Sequence, residues 1–237
     1  MRTRKPAIGV VALLSIAAAI VAAILAATST AESTTVPRAG AAAACPHWGR
    51  PAIAADPKPH ALRVFVMQFE QRPAEMATAA DYEHAIDCAI RTEVLPHLAH
   101  GRPNLVVFDE DVGLETIAIG PRGAAGRALL RQGDYGCTAY LCPTLKTLAA
   151  INNGYSTALR YLQPRFPHLQ SQVGRGFVAA TDEFVRVFMT TMATEARRYA
   201  IYVIASNTQA PFVLSHNPAA VAALRDPATP HLRSVYA

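Results

Sequence analysis

The chain has 237 residues, of which 51% are hydrophobic and 16% charged, with 22 Lys and Arg against 17 Asp and Glu for a net charge of +5. This excludes a disordered acidic or polar chain, because there is enough apolar material for a sizeable core. The positive excess is spread thinly, without basic clusters interleaved with aromatics, so a nucleic-acid partner is not indicated.

Arg2, Arg4 and Lys5 precede Ala7 to Ala27, which carries no charge and is long enough to cross a bilayer as a helix. The run has no polar face, so a buried globular helix does not fit. Residues 1–30 are read as an uncleaved membrane anchor; small residues at Ser29, Thr30 and Ala31 leave a cleaved signal segment as the alternative. In either case the basic flank stays cytoplasmic and the remainder is exported, either held at the cell membrane or secreted. Residues 31–61, rich in Ala, Pro, Ser and Thr, are expected to form a flexible tether.

The folded domain is expected over 62–237. Leu62 to Phe69 is a strand by its β-branched and aromatic content, broken at Glu70 to Pro73. Ala80 to Leu98 is a helix, with Tyr82, Ala85, Ile86, Ala89, Ile90 and Val94 at three- and four-residue spacing and Asp81 as its cap. Pro103 to Leu114 is the most informative stretch: the apolar run Leu105 to Phe108 is a buried strand, and its end delivers Asp109, Glu110 and Asp111 to the sheet rim. Rims of this kind hold ligands in α/β folds, so one of these carboxylates is a site candidate; a solvated acidic turn is the plain alternative. Oxygen ligation of a divalent ion by Asp109, Glu110, Asp111 and Glu115 is disfavoured, because alternate strand residues face opposite sides.

Residues 115–176 show less framework character. Pro143 to Leu162 reads as a helix, and Gly133 to Cys142 and Gln163 to Gly176 as connectors. Thr181 to Tyr199 is a strong helix with Thr181 as cap and Phe184, Val185, Phe188, Met192 and Ala196 on its apolar face. Ile201 to Ser206 is a third buried strand, and Arg233 to Ala237 looks like the opening of another. Two strand–helix–strand crossovers favour a sheet with helices packed on it. In an exported chain the four cysteines permit disulfides: Cys137 and Cys142, close in sequence, are expected to pair, and Cys45 and Cys88 either pair or stay free.

The order of elements, with Leu105-Val106-Val107-Phe108-Asp109-Glu110 and Arg197-Arg198-Tyr199-Ala200-Ile201-Tyr202-Val203-Ile204-Ala205-Ser206-Asn207 as its most specific portions, resembles the N-terminal half of the nitrilase, or carbon-nitrogen hydrolase, superfamily. The resemblance spans Leu62 to Asn207 with an insertion over 115–176. It implies an α/β fold that is part of a four-layer α-β-β-α sandwich, hydrolysis of small amides or nitriles by a Glu, Lys, Cys constellation through a thioester, no cofactor, and association into homo-oligomers. Glu110 aligns with the general base, although Asp109 stands where the family commonly has proline.

No lysine follows Lys146 and no cysteine follows Cys142, so neither partner is carried over by order. Lys146 is read as a solvated helix residue and Cys142 as half of a disulfide. The domain is therefore expected to be a truncated hydrolase, inactive as written. The alternative is a non-catalytic exported scaffold binding a small amide or amine, or a protein partner, near Glu110.

Overall fold

The computed structural model describes Cys45, residues 62–136 and residues 142–237. The expected membrane span, the tether apart from Cys45, and Cys137 lie outside the described residues; among those described, no helix is long and apolar enough to cross a membrane.

Three parallel strands form the sheet that carries the candidate site: β1 (Arg63–Met67), β2 (Asn104–Phe108) and β3 (Tyr202–Ile204), in the order β1-β2-β3. Val64 pairs with Leu105 and Val66 with Val107, and across the other edge Leu105 pairs with Tyr202 and Val107 with Ile204. Each parallel step is bridged by helix, as the crossover pattern requires. Helix α1 (Ala79–Ala89) begins at Thr78, whose hydroxyl accepts from the Asp81 backbone N–H while the Asp81 carboxylate accepts from the Thr78 N–H. Asp81 is thus the third residue of a capping box rather than the cap itself. The helical path continues through a π-helical stretch, Ile90–Val94, and a 3₁₀ turn, Leu95–His97.

The region between β2 and β3 is more helical than its composition suggests. It contains α2 (Gly120–Gln132), α3 (Cys142–Gly154), α4 (Ser156–Leu162) and α5 (Gln172–Ala179). Two expectations are corrected here: the single helix Pro143 to Leu162 is divided at Tyr155, and the connector Gln163 to Gly176 already contains the start of α5, capped by the Ser171 hydroxyl on the Gly174 N–H. Helix α2 escaped notice because Gly-Pro-Arg-Gly-Ala-Ala-Gly has poor helix propensity. Its glycines serve close packing instead. A methyl group on Gly123 would fall 1.9 Å from the Ala118 carbonyl oxygen, and one on Gly126 would fall 2.4 Å from Ile151 of α3.

Thr181–Glu183 opens a helical run that passes through a π-helical stretch, Phe184–Met189, into α6 (Thr190–Tyr199). Thr181 is not its cap; its hydroxyl donates to the Phe177 carbonyl. Ala200, in the left-handed conformation at φ 51°, reverses the chain into β3. The chain then forms β4 (Leu214–Ser215), α7 (Pro218–Leu224) and β5 (Val235–Tyr236), with β4 and β5 antiparallel. The expected strand near residue 235 is therefore present, but in its own two-stranded ribbon.

Two cores result. Val106 and Phe108 of β2 pack with Tyr82, Ile86 and Ile90 of the first helical segment and with Phe188 and Met192; Tyr155, Phe177, Phe184 and Leu224 anchor a second, mostly helical core that also takes in Val235 of β5. The helices thus cover one face of the three-stranded sheet. On the other face Val66 is 82% exposed, Tyr202 65% and Ile204 57%, whereas parallel sheets are almost always covered on both faces.

Cys45 is bonded to Cys88 of α1, with a Cα–Cα separation of 5.3 Å, so the earlier segment is tied to the domain. Cys142 is also disulfide-bonded. Because the Cys45–Cys88 bond closes a loop with a sequence separation of 43, Cys45→Ser is expected to lower stability by about 4 kcal/mol, chiefly by freeing the unfolded chain. Urea unfolding would register this as a lower midpoint, and an unmoved midpoint would refute it.

Candidate functional site at the strand mouth

The turn leaving β2 is held from both neighbouring strands. Asp109 Oδ1 accepts from the Phe69 backbone N–H at 3.3 Å, just past the end of β1. Gln71 Nε2 donates to the Asp111 carbonyl at 3.0 Å. From the β3 side, Ser206 Oγ accepts from the Asp111 N–H at 3.0 Å, and the Thr208 hydroxyl donates to Asp111 Oδ1. Beneath the turn, the Tyr82 hydroxyl donates to the Val112 carbonyl at 3.1 Å. Asp111 sits at φ 59°, a left-handed conformation that aspartate tolerates better than most residues and that these contacts hold in place.

Glu110 projects from this clamped turn. It is exposed, and its carboxylate has no hydrogen-bond or ion-pair partner among the described residues. The structure therefore brings Asp109, Glu110 and Asp111 together at the exits of all three strands, as the sequence indicates. It assigns them different work: Asp109 and Asp111 brace the turn and Glu110 faces solvent.

The electrostatic character lies just below the surface. Burial raises the Asp109 carboxyl above its usual range, the Phe69 N–H opposes the shift, and the Asp111 charge adds to it. Glu115, in the 3₁₀ turn Leu114–Ala118, is 2% exposed, and among the described residues neither of its oxygens makes a hydrogen bond of good geometry. Burial pushes its carboxyl well above the ordinary range, with the Arg72 backbone N–H as the main opposing influence and Glu75 and Asp109 reinforcing the rise. Burial also raises Tyr82, helped by the charges of Glu115 and Asp109. A carboxyl held in its neutral form in this way limits the negative charge gathered at the mouth.

Gly113 and Asn207 complete the rim. A methyl group at Gly113 would lie 2.5 Å from Asn207 Nδ2, so only glycine admits the Asn207 side chain at this spot. Asn207 Oδ1 accepts from the Thr208 N–H at 2.8 Å, a turn-forming role, while its Nδ2 is buried without a partner.

Lys146 does not converge on Glu110. It is exposed on α3, and its ammonium donates to the Tyr135 carbonyl. Cys142, being disulfide-bonded, offers no thiol. Among the described residues, the acidic cluster does not gather three metal-ligand atoms. His84, Asp87 and Cys88 do, within 4.8 Å of one another, but the Cys88 sulfur is already bonded to Cys45.

Sequence reasoning missed Gln71, Ser206 and Thr208 as braces of the turn. The signal available for them was polar residues immediately past the ends of apolar strands, which marks a rim without saying which atoms meet. No protein-family model matches the chain, and neither a curated protein nor a solved structure matches it.

Proposed function

We propose that the chain is a membrane-tethered domain of carbon-nitrogen hydrolase type, in which Glu110 is the general base for hydrolysis of small amides or nitriles. The supporting observation is the strand mouth: an acidic turn clamped by both neighbouring strands, holding an unpartnered carboxylate where a reacting group can reach it. The bare apolar face bearing Val66, Tyr202 and Ile204 supports the four-layer part of the reading, since a second sheet is what such a face accommodates.

In this reading the base removes the proton from an attacking thiol, an ammonium stabilises charge developing on the substrate, the C–N bond breaks and ammonia leaves with that proton as the thioester forms, and water then cleaves the thioester. The described residues supply the base alone, so the thiol and ammonium are not assigned. The test is ammonia release from simple amides and nitriles by the protein as its gene encodes it. Release is expected only where a thiol and an ammonium join Glu110, with a fall there of roughly 10²- to 10⁴-fold in Glu110→Gln, alongside an unchanged circular dichroism spectrum. A folded protein with all three groups that releases no ammonia, or a Glu110→Gln variant of undiminished rate, would overturn the proposal.

The exposure of Glu110 favours one second reading, a non-catalytic scaffold that binds a small amide, amine or protein at the same rim. Saturable binding without turnover, lost in Glu110→Gln, distinguishes it.

A further inference from the structure

The segment from α4 to α5 builds a cavity of about 590 Å³, away from the residues of the strand mouth. The volume falls within the range of roughly 300–1,000 Å³ typical of small-molecule sites. Its walls are apolar, with Leu159 and Leu162 from α4, Phe166 and Leu169 from the intervening loop and Val178 from α5. The loop is held in shape by its own hydrogen bonds: the Phe166 N–H donates to the Leu162 carbonyl at 3.1 Å and the Leu169 N–H to the Phe166 carbonyl at 3.1 Å. Pro164 and Pro167 restrict it further, so the concavity exists before any ligand arrives.

Its polar edge is positive. Arg160 and Arg175 line the cavity, and no acidic side chain does. Arg175 Nε donates to the Leu169 carbonyl at 2.7 Å, which positions the guanidinium against the loop and leaves its Nη groups without a hydrogen-bond partner among the described residues. Among the described residues, the Arg160 guanidinium makes only a 3.4 Å contact with the Thr157 hydroxyl. Neither guanidinium is ion-paired among the described residues, and Arg165, stacked 3.7 Å from the Tyr161 ring centroid, adds a third cation to the segment. The charge bias extends along the chain, because residues 135–181 contain no aspartate or glutamate but include Lys146, Arg160, Arg165 and Arg175.

From this geometry we infer that the cavity is a binding site for a single-chain amphipathic carboxylate, its acyl chain against Leu159, Leu162 and Phe166 and its carboxylate at Arg160 and Arg175. The apolar wall supplies affinity by burial, while the two guanidiniums offer charge-assisted hydrogen bonds. The concave shape favours one molecule over a flat lipid surface. This site is independent of Glu110 and of the reaction proposed there.

The test is calorimetric titration of the whole protein with decanoate below its micellar concentration, with decan-1-ol and decyltrimethylammonium as neutral and cationic counterparts. Decanoate is expected to bind at one site and the cation not at all. Arg160→Glu should weaken binding by roughly tenfold or more. Phe166→Ala should weaken it too, since both side chains are exposed and neither change empties a core. Val66→Gln, on the bare sheet face, should leave it unchanged. Equal binding of all three decyl compounds, wild-type affinity in both cavity variants, or loss of binding in Val66→Gln would each overturn the assignment. So would attachment to phosphatidylglycerol vesicles without binding of monomeric decanoate.

Discussion

Arg122→Met is expected to destabilise the domain by about 3–5 kcal/mol, because the buried Glu183 carboxyl and three carbonyls would lose their donor. Arg122 is 7% exposed and fully engaged. One Nη donates to Glu183 Oε1 at 2.9 Å and to the Leu224 carbonyl at 2.7 Å; the other donates to the carbonyls of Ala223 and Arg225 at 3.1 and 2.8 Å. The last three are carbonyls at the end of α7, which helix geometry leaves without intrahelical partners. Its guanidinium also lies 5.1 Å from the Tyr155 ring centroid. One side chain therefore joins α2, the opening of the run toward α6, and α7. The double variant Arg122→Met, Glu183→Leu should recover part of the loss, because no buried carboxyl is then left without a partner, while the α7 carbonyls remain uncapped. Urea unfolding monitored by circular dichroism is the measurement. A single variant within about 1 kcal/mol of wild type would rule out this clamp.

Stability is also expected to fall as pH rises from about 5 to 8, the opposite of the usual behaviour of surface carboxylates. Burial lifts Glu183 from 4.5 to about 8, with Arg122 opposing and Asp182 and Asp226 reinforcing the rise. Glu195, 0% exposed, is lifted from 4.5 to about 7 by burial, although Arg198 Nη1 lies only 2.6 Å away; Asp87 and Glu83 add to the rise. Each carboxyl holds its proton more tightly folded than unfolded. The native state therefore binds more protons between the ordinary and the raised value, and unfolding becomes easier as pH climbs through that window. The contribution amounts to about 1.4 kcal/mol for each unit of difference. Asp87 acts with the opposite sign: burial raises it, but the Tyr199 hydroxyl and Arg198 outweigh that and leave it lowered, so its contribution is lost only at acid pH below the window. Urea unfolding at pH 5, 6.5 and 8 should show the decline, and Glu195→Gln should remove the Glu195 share, which ends near pH 7, and leave the Glu183 share. A wild-type stability that is level or rising across this range would contradict the assignment of these protons.

Much of the sheet was legible in the residues. Leu105 to Phe108 reads as a buried strand because an apolar β-branched run between Pro-Asn and an acidic cluster has few other stable conformations, and Asp109 to Asp111 follow it to the rim by chain continuity alone. The helices on either side were legible from their three- and four-residue apolar spacing. Their caps were less so: Thr78 and Asp81 share a reciprocal box, and a side chain inside the first turn resembles a cap when only its identity is known. Helix α2 was not legible, since glycine and proline argue against a helix until close contact with α3 and the Ala118 carbonyl makes small residues necessary.

The candidate site divides along the same line. That carboxylates gather after β2 is written in the order of residues, and so is the approximate place of each helix, because local periodicity and chain connectivity act over a few neighbours. Which carboxylate braces the turn, which one faces solvent, and which are buried and hold their protons was decided only when Phe69, Gln71, Ser206 and Thr208 were brought within hydrogen-bonding distance. Nothing in the order of residues marks Glu115, Glu183 and Glu195 as buried. Burial by segments distant in sequence changes their charge, because desolvation depends on what surrounds a group in space and not on what precedes it.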